Sequence, residues 1–351
     1  MNSNDTSKPT VGLIGAGSFG TALANMLAEN APVLLYARRP EVVEALRKKP
    51  VFKGRPLHPN ISYTNELEEV AHSCNLIFPV VPSENFRELM QNLSPFLRPY
   101  HILIHGTKGM NIKMGQNQRF RELETLSRDQ IQTMSELIRE ESVVLRIGCV
   151  AGPNLATEIA DGQPAATVVA SHFDEVIRAG KAVLRSTRFR VHDSHDLLGI
   201  ELAGVLKNIM AIAAGILNGL GYGANTLALL ITRGLAEIVT LGKVLGADPR
   251  AFLGLAGIGD LVATCSSPLS RNFTVGYRLA KGEKLDHIIT DMEEVAEGLK
   301  TVCIARAIAN YYKVPAPITK ALYKTLFEEM DVTRGLRLLM EYPFTEDVEY
   351  I

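Results

Sequence analysis

The sequence predicts an α/β doubly wound parallel sheet in the N-terminal part of the chain, followed by an all-α C-terminal domain. Three observations carry this. Short apolar runs rich in Val, Ile and Leu alternate with helical patterns over the first half. The alternation stops near residue 195. From Asp196 onward, apolar residues recur at spacings of three and four in long stretches with few β-branched runs.

Taken in order, Thr10 to Gly15 reads as a strand and Ser18 to Glu29 as a helix, with Val33 to Ala37 the second strand. Asn75 to Val81 and His101 to His105 read as two more, and Ala165 to Ala170 and Phe189 to Val191 as the last of that layer. Strands alternating with helices argue for parallel pairing with both faces covered. Between residues 119 and 141, Phe120, Leu123, Leu126, Ile131, Met134, Leu137 and Ile138 fall at near-helical spacing among many charges. That pattern predicts one or two amphipathic surface helices, interrupted around Ser127–Asp129. The second half predicts helices over Asp196–Leu220, Ala224–Leu245, Arg271–Ala280, Glu293–Tyr312 and Pro317–Glu329. The domains expected are therefore 1–195 and 196–351.

Composition narrows the class. With 351 residues, 46% hydrophobic and 21% charged, the chain can bury a sizeable core, and only the polar residues before Val11 are expected to fray. Lys and Arg total 37 against 38 Asp and Glu, with no basic block, so nothing points to nucleic-acid binding. Cys74, Cys149, Cys265 and Cys303 stand apart among apolar neighbours, as buried reduced thiols do, and no metal site is expected from them. The pair in His192-Asp-Ser-His195 lacks a second ligand-rich segment and reads as a surface turn. No basic n-region precedes an apolar h-region, so a cytoplasmic location is expected. The most apolar stretch, Leu202 to Gly221, carries Lys207 and Asn208 near its middle beside Glu201, which suits a buried helix and no stable membrane insertion.

The sharpest motif is Val11-Gly-Leu-Ile-Gly15-Ala-Gly17-Ser18-Phe19-Gly20, an apolar strand running into G-x-G-x-x-G and a good helix start. Gly15 permits a tight turn, Gly17 lets backbone amides approach a pyrophosphate, and Gly20 lets the helix pack on the strand. The helix N-terminus then offers N–H groups and a positive dipole end to phosphate. The N-terminal domain is thus expected to be Rossmann-like and to bind a nicotinamide dinucleotide. A strictly NAD-dependent site calls for a carboxylate after the second strand; here Arg38-Arg39 follows. A guanidinium suits a 2′-phosphate, which favours NADP(H) while leaving NAD(H) open, as does the alternative of a solvated arginine pair.

Three further segments carry chemistry. Lys108, in His105-Gly-Thr-Lys-Gly-Met, follows a strand end, where open α/β sheets gather their ligands. Lys207 lies in the otherwise apolar Gly199-Ile-Glu-Leu-Ala-Gly-Val-Leu-Lys-Asn-Ile-Met. A buried ammonium must be paired or lose its proton, and a desolvated lysine can exchange protons near neutrality; a snorkelling lysine is the bland alternative. Gly254-Leu-Ala-Gly-Ile-Gly-Asp260-Leu offers a carboxylate to orient a lysine or hydroxyl. Ser270-Arg271-Asn272 resembles a helix start where polar groups converge on a phosphate, with plain capping as the alternative.

In order along nearly the whole chain, these segments resemble the bacterial-type NAD(P)-dependent glycerol-3-phosphate dehydrogenases. The resemblance extends to Gly152-Pro-Asn, to Asn225 with Ile231-Thr-Arg-Gly-Leu, and to Val295-Ala-Glu-Gly. It implies that Lys207 transfers the proton, and that Lys108, Gly152, Asp260, Ser270, Arg271 and Asn272 hold glycerol 3-phosphate or dihydroxyacetone phosphate. It further implies that Ser18, Phe19, Arg38, Lys108, Ala156, Arg271, Val295 and Glu297 contact the dinucleotide. Lys108 is expected to assist catalysis by lowering the pKa of Lys207 through like-charge repulsion, and Asp260 by orienting it. The family is typically homodimeric and feeds glycerophospholipid synthesis. Three departures stand out. Asn154 replaces the usual Ser or Thr after Gly-Pro, with its amide still able to hold substrate, and Leu155-Ala156 replaces Phe-Ala. Residues from about Gly115 to Asp129 look like an insertion, expected on the surface without a role in chemistry. Other dehydrogenases that pair a Rossmann-like with a helical domain, and a non-catalytic NADP(H) sensor, are the competing readings.

Overall fold

The computed structural model describes residues 8–113, 120–292 and 294–342, with the backbone alone for 336 and 338–340. The first residues expected to fray and the start of the apparent insertion lie outside these. The chain divides into two compact units, one of 1–107, 134–150 and 154–197, the other of 108–133, 151–153 and 198–351.

The first unit is built on an eight-stranded sheet. Its strands are β1 (Val11–Ile14), β2 (Val33–Tyr36), β3 (Ile61–Thr64), β4 (Leu76–Pro79), β5 (Ile102–His105), β6 (Arg146–Ala151), β7 (Ala165–Ser171) and β8 (Phe189–Ser194), ordered β8-β7-β6-β5-β4-β1-β2-β3. Parallel registers run from β3 through β2, β1, β4 and β5 to β6, and again between β7 and β8. From β1 the chain winds outward to β3, returns to β4, and then winds the other way. That reversal is the switch point of the Rossmann order, with β1 and β4 on either side. Both faces are apolar, which is why the strands read as continuous hydrophobic runs. Val11, Leu13, Val33 and Leu35 face one core with Leu23 and Leu27 of the helix Ser18–Ala28. Ile14, Leu34, Ile77 and Leu103 face the other, against Val70, Met90 and Leu137. Each such fully buried leucine contributes roughly 1.5–3 kcal/mol.

β3 and β6 do not stand out in the sequence: β3 is Ile-Ser-Tyr-Thr and β6 holds Gly148 and Cys149. The segment 119–141 departs from its expected form. Among its described residues only Met134–Glu141 is α-helical, and Leu123, Leu126, Ile131, Met134, Leu137 and Ile138 are all buried. Its apolar residues serve two different cores, so their spacing does not describe one helical face.

The second unit is helical. Leu197–Gly219 forms a 23-residue helix, long and apolar enough to cross a membrane, and its most apolar 18-residue stretch is entirely buried within the fold. It is joined by Ala224–Val244, Arg271–Ala280, Gly298–Tyr312, Pro317–Phe327 and Val332–Met340. The helix expected from Glu293 begins instead at Gly298. Gly215 and Gly276 face each other across a tight crossing. A Cβ on Gly276 would stand 1.9 Å from the Ile212 carbonyl oxygen, so the helix Arg271–Ala280 approaches this closely only because the side chain is missing. Glu237 of Ala224–Val244 accepts from Ile318 N and Thr319 N at 2.8 and 2.9 Å, satisfying the N-terminus of Pro317–Phe327 from inside the core. All four cysteines are buried thiols.

Candidate active site

At the switch point, Gly15 follows β1 with φ +123°, where its Cβ would meet the Val80 carbonyl oxygen at 2.2 Å. Gly20, in the first turn of Ser18–Ala28, would bring a Cβ to 1.8 Å from the Gly15 carbonyl oxygen. Two glycines are therefore required by the fold itself. Gly17 is different: it is exposed, its Cβ would touch nothing within 4 Å, and no side chain caps the helix it precedes. Internal packing does not explain Gly17; open space in front of a helix N-terminus suits a pyrophosphate. The residues present thus fit a dinucleotide. Phe19 packs beside Gly106, and Ala156 and Phe19 lie against the same apolar core. Arg38 and Arg39 are exposed just past β2, Arg39 lying 3.8 Å from Glu41.

In the helical unit, Lys207 sits 4% exposed on the helix Leu197–Gly219. Its Nζ donates to Asp260 Oδ1 at 2.7 Å and to Thr264 Oγ1. Lys108 donates to the other oxygen of that carboxylate, Asp260 Oδ2, at 2.6 Å, and to the Gly152 carbonyl at 3.0 Å. Its aliphatic stem passes over Gly204 at 3.9 Å, one turn from Lys207 on the same helix. A wide turn over Leu255–Gly259 delivers Asp260 to the start of the helix Asp260–Cys265, and Gly257 within it leaves no room for a side chain beside the Phe252 backbone. Two ammonium groups therefore share one buried carboxylate.

The electrostatics follow from that geometry. Burial pushes Lys207 down from 10.5 to about 8; Asp260 opposes the fall, and the Lys108 charge adds to it. Burial alone would raise the Asp260 carboxyl, but Lys108 and then Lys207 outweigh it and hold it below its ordinary value. Cys265 beside them is pushed up to about 12 by burial, a neutral bystander. The cluster holds an amine poised near neutrality on a fixed anion, an arrangement able to exchange a proton.

Ser270 accepts from Phe273 N at 3.3 Å, and Asn272 Oδ1 accepts from Gly298 N at 2.9 Å. Both side chains thus accept from N–H groups at helix starts, as their sequence pattern allows alongside a phosphate contact. Arg271 remains half exposed, donating to the Val295 carbonyl at 2.8 Å with Glu294 at 3.4 Å. Glu297 immediately precedes the helix Gly298–Tyr312. Asn154 belongs to the first unit, donates to Thr167 Oγ1 at 2.9 Å, and buries its Oδ1 without a partner among the described residues. Thr264, which the helix brings under Lys207, carries one signal in the sequence, its position four residues after Asp260.

A turn built to admit phosphate and a lysine poised to trade a proton are what the dinucleotide-dependent oxidoreductases of the Rossmann class combine. The family model described as NAD-dependent glycerol-3-phosphate dehydrogenase N-terminus matches residues 10–177, and its C-terminal counterpart matches 196–337. A Sphingopyxis alaskensis glycerol-3-phosphate dehydrogenase [NAD(P)+] is 40% identical over 335 residues, covering 94% of each chain. Its Pseudomonas aeruginosa counterpart is 39% identical over 351 residues, covering 99% of this chain and 98% of the relative. The crystal structure of glycerol-3-phosphate dehydrogenase from Coxiella burnetii, 31% identical, superposes with a TM-score of 0.84 over 95% of this chain and 99% of the other. The chain belongs to the NAD-dependent glycerol-3-phosphate dehydrogenase family.

Proposed function

We propose that this protein transfers a hydride reversibly between NAD(P)H and dihydroxyacetone phosphate, giving sn-glycerol 3-phosphate for glycerophospholipid synthesis. The observation that carries the reading is the buried Lys207, pinned to Asp260 and brought to about 8. When bound at the Gly15–Gly20 turn, with Ser18, Phe19 and Ala156 alongside, the dinucleotide supplies or accepts the hydride. As the carbonyl carbon of dihydroxyacetone phosphate takes the hydride, Lys207 as an ammonium gives its proton to the carbonyl oxygen. In the reverse direction neutral Lys207 takes the hydroxyl proton back.

Asp260 orients the lysine, and Lys108 helps hold substrate while keeping Lys207 ready to lose its proton. The family resemblance assigns Gly152 and Asn154 to the substrate, and Arg271, with Ser270 and Asn272 at its helix start, to its phosphate. Val295 and Glu297, which share the Arg271 neighbourhood, contact the dinucleotide. Arg38, with Arg39, favours NADP(H) over NAD(H). Residues 1–195 are assigned to cofactor binding and 196–351 to substrate binding and catalysis, with the packing of 108–133 into the helical unit giving it both lysines. The family resemblance supports a cytoplasmic homodimer. The test is the absorbance of reduced nicotinamide on mixing protein, dihydroxyacetone phosphate and NADPH or NADH. Substrate-dependent oxidation is expected; none with either cofactor, from folded protein that binds NADPH, would sink the reading.

A further inference from the structure

We propose that Arg128 is a positioning residue for Lys108, tying the loop that carries Lys108 to the ends of two helices through a two-stranded ribbon. The inference rests on the reading of Lys108 given above. It concerns a segment that the sequence suggested was idle surface.

Lys108 is followed by Gly109, the buried Met110, and then Asn111, which begins the ribbon. Asn111–Ile112 pairs antiparallel with Ile131–Gln132; Asn111 Nδ2 adds a bond to Gln132 Oε1 at 2.9 Å, and Lys113 N reaches the Gln130 carbonyl at 2.9 Å. Whatever fixes Ile131 and Gln132 therefore fixes the loop of Lys108. Arg128 does this directly. Its Nη1 donates to the Ile131 carbonyl at 2.9 Å and its Nε to the Leu245 carbonyl at 3.1 Å, while its backbone N–H donates to Tyr312 Oη at 3.0 Å. Leu245 closes the helix Ala224–Val244, and Tyr312 ends Gly298–Tyr312. A guanidinium at a helix C-terminus meets carbonyls that lack helical partners and the negative end of the dipole, and its planar fork serves two acceptors at once.

The approach to Arg128 is anchored as well. Leu126 N bonds the Ala307 carbonyl at 3.1 Å, Arg306 Nη2 the Leu123 carbonyl at 2.8 Å, and Tyr323 Oη the Arg121 carbonyl at 2.8 Å. All three are long-range bonds to the segment's backbone, one from a partner carbonyl and two from side chains, so the segment is held as part of the helical core. Lys108 itself has a long stem, and among the described residues Asp260 and the Gly152 carbonyl hold its head. A loosened loop would let the head leave the carboxylate for water, and a displacement of about 1 Å at a catalytic group can cost on the order of 10²-fold in rate.

The experiment compares wild type, Arg128→Ala, the milder Tyr312→Phe, and each combined with Lys108→Met. Two quantities are read: the rate at which a small amine reagent modifies Lys108, followed by peptide mass spectrometry, and the pH profile of kcat with dihydroxyacetone phosphate. Arg128→Ala is expected to raise Lys108 modification severalfold, lower kcat by about tenfold to 10²-fold, and move the pH limb upward as Lys207 loses the repulsion of Lys108. Tyr312→Phe should move all three the same way, but less. With Lys108 already methionine, neither change should alter kcat or the limb further. Unchanged labelling of Lys108 in both variants overturns the proposal, as do kinetic effects that persist undiminished in the Lys108→Met background. Labelling needs no turnover, so a wild type inactive on dihydroxyacetone phosphate counts against the proposed reaction and leaves this test readable.

Discussion

Replacing Asp260 by Asn removes the one charge on which both lysines rest. The amide keeps the size of the side chain but leaves two ammonium groups, Lys207 wholly buried and Lys108 partly so, around a neutral partner. The sign is set by the present balance. Asp260 raises Lys207 through charge and through its hydrogen bond, while burial and Lys108 lower it. An opposite charge at this range is worth about 1–3 pKa units, so its loss should take Lys207 from about 8 to roughly 5–7. Stability should fall by about 3–5 kcal/mol at neutral pH if Lys207 stays charged, and by less if it sheds its proton. The assay is dihydroxyacetone phosphate reduction from about pH 5 to 10, with the fold checked by thermal unfolding. Reduction needs protonated Lys207, so wild-type activity should decline above about pH 8 and the variant above roughly pH 5–7. Oxidation of glycerol 3-phosphate should show the mirror image, rising with pH through the same limbs. A folded variant whose limb stays near the wild-type position would refute the argument that Asp260 holds the charge of Lys207.

Two other changes test the binding surfaces. Arg38→Ala should raise KM for NADPH by about tenfold, the worth of one charge-assisted contact, and leave KM for NADH nearly unchanged; equal effects on both would remove Arg38 from the 2′-phosphate site. Arg271→Ala should raise KM for dihydroxyacetone phosphate by a similar factor through loss of a guanidinium contact, whereas an unaltered KM would place the phosphate elsewhere.

Much of the fold was legible because its signals are local. Gly15, Gly17 and Gly20 state a turn, an approach and a close packing within six residues, and continuous apolar strands announce a sheet covered on both faces. Lys207 was conspicuous because it breaks an apolar helix, and the structure puts it with Lys108 and Asp260 on one carboxylate. Other features depend on distant partners. β3 is short and polar, and pairs only because β2 lies alongside. Residues 120–132 look like an amphipathic surface, yet their backbone is satisfied by Ala307, Arg306 and Tyr323, far along the chain. Thr264 matters only once Lys207 lies over it. Ser270 and Asn272 show the converse. Their local pattern supports both capping and phosphate binding, and the structure finds both side chains capping helix starts.

The most direct test of the central claim, that Lys207 moves the proton, is turnover of Lys207→Met with saturating NADPH and dihydroxyacetone phosphate. Methionine fills the same cavity without an exchangeable proton. The account predicts a fall in kcat of roughly 10²–10⁴ with NADPH binding preserved. Turnover near the wild-type rate, from a folded variant, would contradict it.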